Sequence, residues 1–512
     1  MGKKIGLGVT SFRELREKGY IYVDKTHLIK ELITNYKYAL LARPKGFGKT
    51  ITLSTIEEIF RGNKELFAGT SIYGEYQFEE FPILKLSFRG SCENVDEVRE
   101  HILEQLIILA EELEPTFRVK LKEKERINYY FADLIKAIYK KSGKQLVILV
   151  DNYDNSILEN LFDLQRASKI WRIIRDFLLI IKDHGEMIRF AFFTGITGLL
   201  RRTPFELSLV EDITLHPFFS NICGFMYEEV VYYFEDYLKN VDMEEVKKWY
   251  YGYNFLGDFV FNPIDILSFI KNSYLFKPYW YMTISNEYFY RIVRDHRFFL
   301  PEIGHMQAPE KIFNGFNLHS VNVESLAFHT GLITIDTLRE TPFGTIFSFR
   351  TPNKMVQINL HDDIIRLLTN KSSFFQFKKE LYIALKAGDI SKFRKVVRQI
   401  FATIDPNYFL KYRFDKWSGI HITIMYAYFL SIGADIEIIE SSPEEITFVL
   451  KLSEKVYLIR ISNNNSLKEL LRQKYYDTIK ARQITLLGLD FDKGDFNFSH
   501  IDWEIKERYG QV

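Results

Sequence analysis

The stretch Leu40–Phe60, "LLARPKGFGKTITLSTIEEIF", runs from an apolar segment through a glycine-punctuated turn into a helix-forming segment that opens on Lys49-Thr50. Strand, turn and helix in that order are the layout of a phosphate-binding loop. Gly46 and Gly48 let the backbone turn tightly and offer N–H groups to phosphate oxygens. The following helix adds the positive end of its dipole. Lys49 is placed to reach the β- and γ-phosphates, and the Thr50 hydroxyl to ligate Mg²⁺. Where the usual pattern G-x-x-x-x-G-K-[ST] has its first glycine, this chain has Arg43. Arg43 and Lys45 put cations beside a polyanion. The whole turn (Arg43, Lys45, Gly46, Phe47, Gly48, Lys49 and Thr50) therefore reads as contacting ATP.

A second element matches the first. "LVILVD" is fully apolar until it ends in Asp151, about a hundred residues after the loop. A carboxylate at the tip of such a strand holds the Mg²⁺ shell in P-loop enzymes, which makes Thr50 and Asp151 the expected metal ligands. ATPases of this type carry a Glu at the next position to polarise the attacking water. Here that residue is Asn152, whose amide can hydrogen-bond a water but cannot take its proton. Asp154 is the alternative base if the strand end bends. The strand ending "FFTG" brings Thr194 to the position of a γ-phosphate-sensing hydroxyl, or of a simple strand-end cap.

Outward from these motifs, the chain has 512 residues, room for two or three domains. Lys and Arg total 68 against 67 Asp and Glu, so no global field draws it to nucleic acid or acidic membrane. Its two cysteines, Cys92 and Cys223, form no disulfide framework and no metal-ligand spacing, which fits a reducing, cytoplasmic setting. No apolar run is long enough for a signal peptide or a membrane span.

"KYALLA" (37–42), "FPILKLSF" (81–88), "KQLVILVDNYD" (144–154) and "MIRFAFFTGI" (187–196) read as strands separated by helical stretches, hence a parallel sheet covered on both faces. Residues 95–140 read as helical, their charge run a solvated face. Residues 225–300 read as mainly helical and 320–370 as a small mixed segment. Composition shifts again near 370. Helices at 376–403 and 420–432 then lead into three strands, "DIEIIE", "EITFVLKL" and "KVYLIRIS". A helix (466–482) and the strand "ITLLGLDF" close the chain, giving the order αβββαβ.

In order along the chain stand "GVTSFRELREKGYIYVDKTHLIKEL", "ARPKGFGKTITLSTIEEIF", "VILVDNYD", "FFTGITG", "EDITLHPFFSNICGFMYEEV", "KKWYYGYNF" with "FNP", and "PYWYMTISN". Together, over about residues 5–300, they resemble the AAA-ATPase-like domain that often precedes a PD-(D/E)XK-nuclease-superfamily domain in bacteria. The resemblance makes Arg43 ordinary, because that family also has Arg in place of the first loop glycine. It makes Asn152 a departure, because members usually read D-E-Y-D. It implies an α/β chain in which a P-loop NTPase (AAA-like) parallel sheet with a helical lid region precedes a smaller α/β restriction-endonuclease-like domain. The implied segments are 1–220 for the core, 221–370 for the lid and linker, and 371–512 for the nuclease-like domain. Such relatives place an Arg of one subunit at the next subunit's phosphate, and Arg201 and Arg202 are candidates for that role in a homo-oligomer.

Over 320–505 the resemblance continues through "LAFHTGLITI", "TPNKMV" and "ITLLGLDFD". The nuclease chemistry needs an Asp, then an acidic residue and a Lys two apart on the next strand, to hold Mg²⁺ and position water. At those places stand Thr447, Arg460 and Ser462. Trp417, before His421, stands where a helix Glu is usual, and Leu470 where a Gln is usual, while Lys474 and Tyr476 match. A cation at Arg460 repels a divalent metal. Asp435, Glu437, Glu440, Glu444 and Glu445 rebuild a site only with a register shift that inverts the strand faces. The expectation is an ATP-binding, Mg²⁺-binding switch module with weak or absent hydrolysis and a pseudonuclease domain. The alternatives are an active ATPase using Asp154 in DNA or protein remodelling, and a Mg²⁺-dependent nuclease with displaced carboxylates.

Overall fold

The apolar run ahead of the loop forms strand β1 (Tyr38–Ala42), all five residues buried. The computed structural model describes residues 4–88, 90, 94–117, 127–202, 210–283, 289–290, 293–294, 299–313, 322–369, 374–414, 417, 419–491 and 497–507. Cys92 lies outside them, and so do the side chains of Arg201 and Arg202. β1 joins β2 (Ile83–Ser87), β3 (Leu146–Asp151), β4 (Ile188–Gly195) and the two-residue β5 (Glu211–Asp212) in one sheet of order β2-β3-β4-β1-β5. Every pairing in it is parallel. The carboxyl ends of β1, β3 and β4 therefore lie side by side on one rim, where ligands bind in sheets of this kind.

The central strands β1, β3 and β4 are mostly apolar and buried, as a sheet covered on both faces requires. The helix Leu164–Asp183, capped by the Asp163 carboxylate on the Arg166 N–H, buries Ile170, Ile174, Phe177, Leu178 and Ile181 along one stripe. Phe177 stacks on Phe131 of the helix Ile127–Ser142, with ring centroids 4.5 Å apart. Each such side chain contributes about 1.5–3 kcal/mol by leaving water.

The chain divides into two compact units: Met1–Tyr288 with Gln307–Asn353, and Phe289–Met306 with Lys354–Val512. The helix Lys354–Thr369 thus belongs to the second unit, ahead of the composition shift near 370. In the first unit, the stretch read as mainly helical is interrupted by a hairpin, β6 (Tyr251–Asn254) and β7 (Phe259–Phe261), between the helices Met243–Tyr250 and Pro263–Lys271. Aromatic residues around Gly252 and Gly257 favour pleated strands over helix there. β8 (Gln307–Pro309), β9 (Thr334–Thr341) and β10 (Gly344–Arg350) make an antiparallel sheet of order β8-β10-β9.

The second unit holds a mixed sheet: β11 (Asp435–Ser441), β12 (Ile446–Leu452), β13 (Lys455–Ser462), β14 (Gln483–Phe491) and β15 (Phe498–Glu507), in that order. Only β13 and β14 pair in parallel, and the helix Ser466–Gln473 makes the crossover between them. That helix stops at Lys474, which sits at φ 51°, well short of 482. "ITLLGLDF" does not close the chain. β15 follows it as an edge strand, its exposed His500 and Asp502 giving it the polarity of a tail. Among the described residues no helix is long and apolar enough to cross a membrane.

Candidate functional site

The turn after β1 leads into the helix Lys49–Phe60 through two glycines with positive φ, Gly46 at 87° and Gly48 at 98°. At Gly46 a side chain would also collide, because a Cβ would come 2.8 Å from Ile264 Cδ1 and 3.0 Å from Asn262 Oδ1. Lys49 is buried, and its Nζ donates to the carbonyls of Arg43 (2.7 Å) and Pro44 (3.0 Å), bridging the turn. Burial pushes its ammonium below the usual lysine pKa.

Arg43 does not face the loop's interior, and this corrects the expectation of a cation beside a polyanion. Its guanidinium is 1% exposed and donates to the carbonyls of Ala42, Thr214, Phe219 and Ser220 at 2.6–3.3 Å. It also lies 4.0 Å over the Phe255 ring. Desolvation pushes its pKa down to about 10, so it remains charged at neutral pH. Phe47 is likewise buried, edge-on to Tyr253 and Phe255. Arg43 and Phe47 brace the turn from outside, whereas Lys45 has an exposed side chain.

Thr50 and Asp151, the expected metal ligands, lie within hydrogen-bond distance of each other. Asp151, buried at the end of β3, accepts the Thr50 hydroxyl on Oδ2 (2.9 Å) and the Thr194 hydroxyl on Oδ1 (2.6 Å). Because β4 lies between β1 and β3, its Thr194 stands between the loop and the acidic strand. Thr50 and Asp151 also line a cavity of about 450 Å³ with Ser11, Ser54, Lys85 and Ser87. A hydroxyl and a carboxylate converging on open space are the donors Mg²⁺ takes alongside phosphates and waters.

Asn152 follows β3 at φ 56°, in the left-handed region, and its N–H points to Thr194 Oγ1 at 3.4 Å. Beyond this bend Asp154 turns to the segment that follows β4. The Asp154 carboxylate is buried and accepts the N–H groups of Ile196 and Thr197 and the Thr197 hydroxyl, at 2.6–3.1 Å. Desolvation raises its pKa against those bonds. Gly195 allows this closeness, since a Cβ there would meet Tyr153 Cε1 at 2.5 Å. The D-N-Y-D and T-G-I-T motifs thus interlock.

In the second unit Arg460 is buried on β13. It donates to Thr447 Oγ1 (2.8 Å), Glu445 Oε2 (2.5 Å) and Glu440 Oε2 (3.3 Å). Ser462 bonds the Ser466 hydroxyl at 2.7 Å. His421 is stacked between Phe401 and Phe491, Trp417 and Leu470 are buried, and Asp435, Glu437 and Glu444 are exposed. Among the described residues no group of three or more His, Cys, Asp or Glu side chains could hold a metal.

Three residues important to the loop carried no individual signal in the sequence. Thr214 accepts the Ala42 N–H on its hydroxyl. Asn262 and Trp280 both donate to the Lys45 carbonyl, from Nδ2 (3.1 Å) and Nε1 (2.6 Å). They sit in "EDITLHPFFS", "FNP" and "PYW", which the sequence offers as motifs without roles.

A curated relative, the "Uncharacterized protein in vnfD 5'region" of Azotobacter chroococcum mcd 1, is 27% identical over 504 residues, covering 96% of this chain and 97% of the relative. Residues 6–203 match the family model described as AAA-ATPase-like, a predicted AAA-ATPase, and the turn 43–50, Asp151 and Thr194 all fall within that span.

Proposed function

We propose that this chain binds ATP with Mg²⁺ on the loop Gly46–Thr50 and holds it with slow or absent hydrolysis, as a binding and switch module. The observation that carries this reading is the Asp151 carboxylate. It joins Thr50 and Thr194 through its two oxygens, while the next residue offers only an amide. Thr50 and Asp151 would hold the metal, Lys49 and the loop N–H groups the phosphates, and Thr194 would respond to the terminal phosphate. Bound Mg²⁺ would offset phosphate charge. Asp154 is a poor base, because its oxygens are already occupied by N–H and O–H donors.

For the second unit we propose a nuclease-like fold without nuclease chemistry. Arg460 supports this: its guanidinium takes up the carboxylates a divalent metal would need. The nucleotide reading is tested by calorimetry with Mg-ATP alongside a phosphate-release assay. Micromolar binding with release slower than about one per minute is expected; no binding, or fast release, overturns it. The second is tested by plasmid nicking with Mg²⁺ or Mn²⁺, where intact plasmid is expected.

A further inference from the structure

We infer that Asn262 and Trp280 set the phosphate affinity of the loop by clamping the Lys45–Gly46 peptide, so that residues far outside the 6–203 segment complete the site. This rests on the nucleotide reading above. The Lys45 carbonyl and the Gly46 N–H belong to one planar peptide unit and point in opposite directions, as the described chain has no cis peptide bond. Asn262 Nδ2 and Trp280 Nε1 both hold that carbonyl. The Gly46 N–H must then face the other way, off the clamp. The next glycine is set in the same manner: the Gly224 N–H holds the Phe47 carbonyl at 3.0 Å, which turns the Gly48 N–H. With the Lys45 and Phe47 carbonyls tied outward, the Gly46 and Gly48 N–H groups are left for an anion, as in a phosphate nest.

The clamp is itself anchored. Asn262 caps the helix Pro263–Lys271 by accepting the Ile264 N–H on Oδ1 (3.0 Å), so its amide group is fixed with Nδ2 towards the loop. Trp280, fully buried, is fixed by its backbone N–H on Asp265 Oδ1 (2.8 Å) and packs edge-on to Tyr253, which in turn packs on Phe47. Positive-φ glycines can turn a peptide over at little cost. Without the clamp, the 45–46 unit could present its carbonyl to the phosphate.

Two conservative variants separate this role from folding. Asn262→Asp keeps the helix cap, for which Asp serves as well as Asn, but loses the donor to Lys45. Trp280→Phe keeps the ring and loses Nε1–H. In the full chain, each should weaken Mg-ATP and inorganic triphosphate by the same factor, about tenfold, in a chain that unfolds at a lower temperature but is still folded at the temperature of the binding measurement. In the wild-type chain, the Gly46 and Gly48 amide resonances should move on adding inorganic triphosphate. Folded variants that bind as wild type does, or glycine resonances that stay put, overturn the inference alone. A wild-type chain that binds no phosphate ligand overturns the nucleotide reading and this inference with it.

Discussion

The hydroxyl of Thr194 stands 2.6 Å from Asp151 Oδ1, on the oxygen that Thr50 leaves unused. Thr194→Val removes one donor from a buried carboxylate and keeps the shape. We expect Mg²⁺-dependent ATP binding to weaken about fivefold and binding in EDTA to weaken less, as read by calorimetry in the two buffers. Asp151→Asn should abolish the Mg²⁺-dependent part altogether.

Position 152 should control turnover. Asn152→Glu supplies a proton acceptor next to Asp151 and should raise phosphate release at least about tenfold. Asp154→Asn should leave release unchanged but cost about 1–3 kcal/mol of stability, because it breaks a buried set of hydrogen bonds. If Asp154→Asn instead silences turnover in a stable protein, Asp154 is the base.

Arg43→Met should act on stability first. It leaves four carbonyls facing an apolar side chain, a loss of about 2–4 kcal/mol. Arg43→Lys should rescue little, since one ammonium cannot span the carbonyls that a planar guanidinium reaches. Thermal unfolding followed by circular dichroism reads both.

Two buried groups give opposite pH dependences. Burial pushes the Asp265 carboxyl up to about 8, and among the described residues its Oδ2 has no hydrogen-bond partner. The folded state therefore holds a proton that the unfolded chain releases near pH 4. Its contribution is full below pH 4 and declines up to about pH 8. Asp265→Asn should flatten that decline. His361, buried with its Nδ1 on the Gln357 carbonyl, is pushed down to about 4. There the unfolded chain binds the proton first, so stability falls as pH drops from 6.5 towards 4. His361→Gln should remove that acid sensitivity. Denaturant titrations from pH 4 to 8 check both.

The parallel sheet was legible because β1, β3 and the Phe190–Phe193 stretch of β4 are apolar runs, a pattern that a doubly covered sheet requires. The meeting of Thr50 with Asp151 was legible because Thr50 opens a recognisable helix signal and Asp151 ends a recognisable strand signal. The direction of Arg43 was not: a cation in a phosphate loop suggests an anion, and only the carbonyls of Thr214, Phe219 and Ser220, about 170 residues on, show where its donors go. The Lys45 clamp was hidden for the same reason, since its partners are 217 and 235 residues away. β15 was missed because an edge strand with one wet face lacks the apolar density of a core strand.

Asn152 sits where the backbone turns left-handed, a conformation asparagine adopts readily and most other side chains reach only at a cost of about 1–2 kcal/mol. A glutamate at this position would have to hold the same turn under strain, so Asn152→Glu trades folding stability for a proton acceptor.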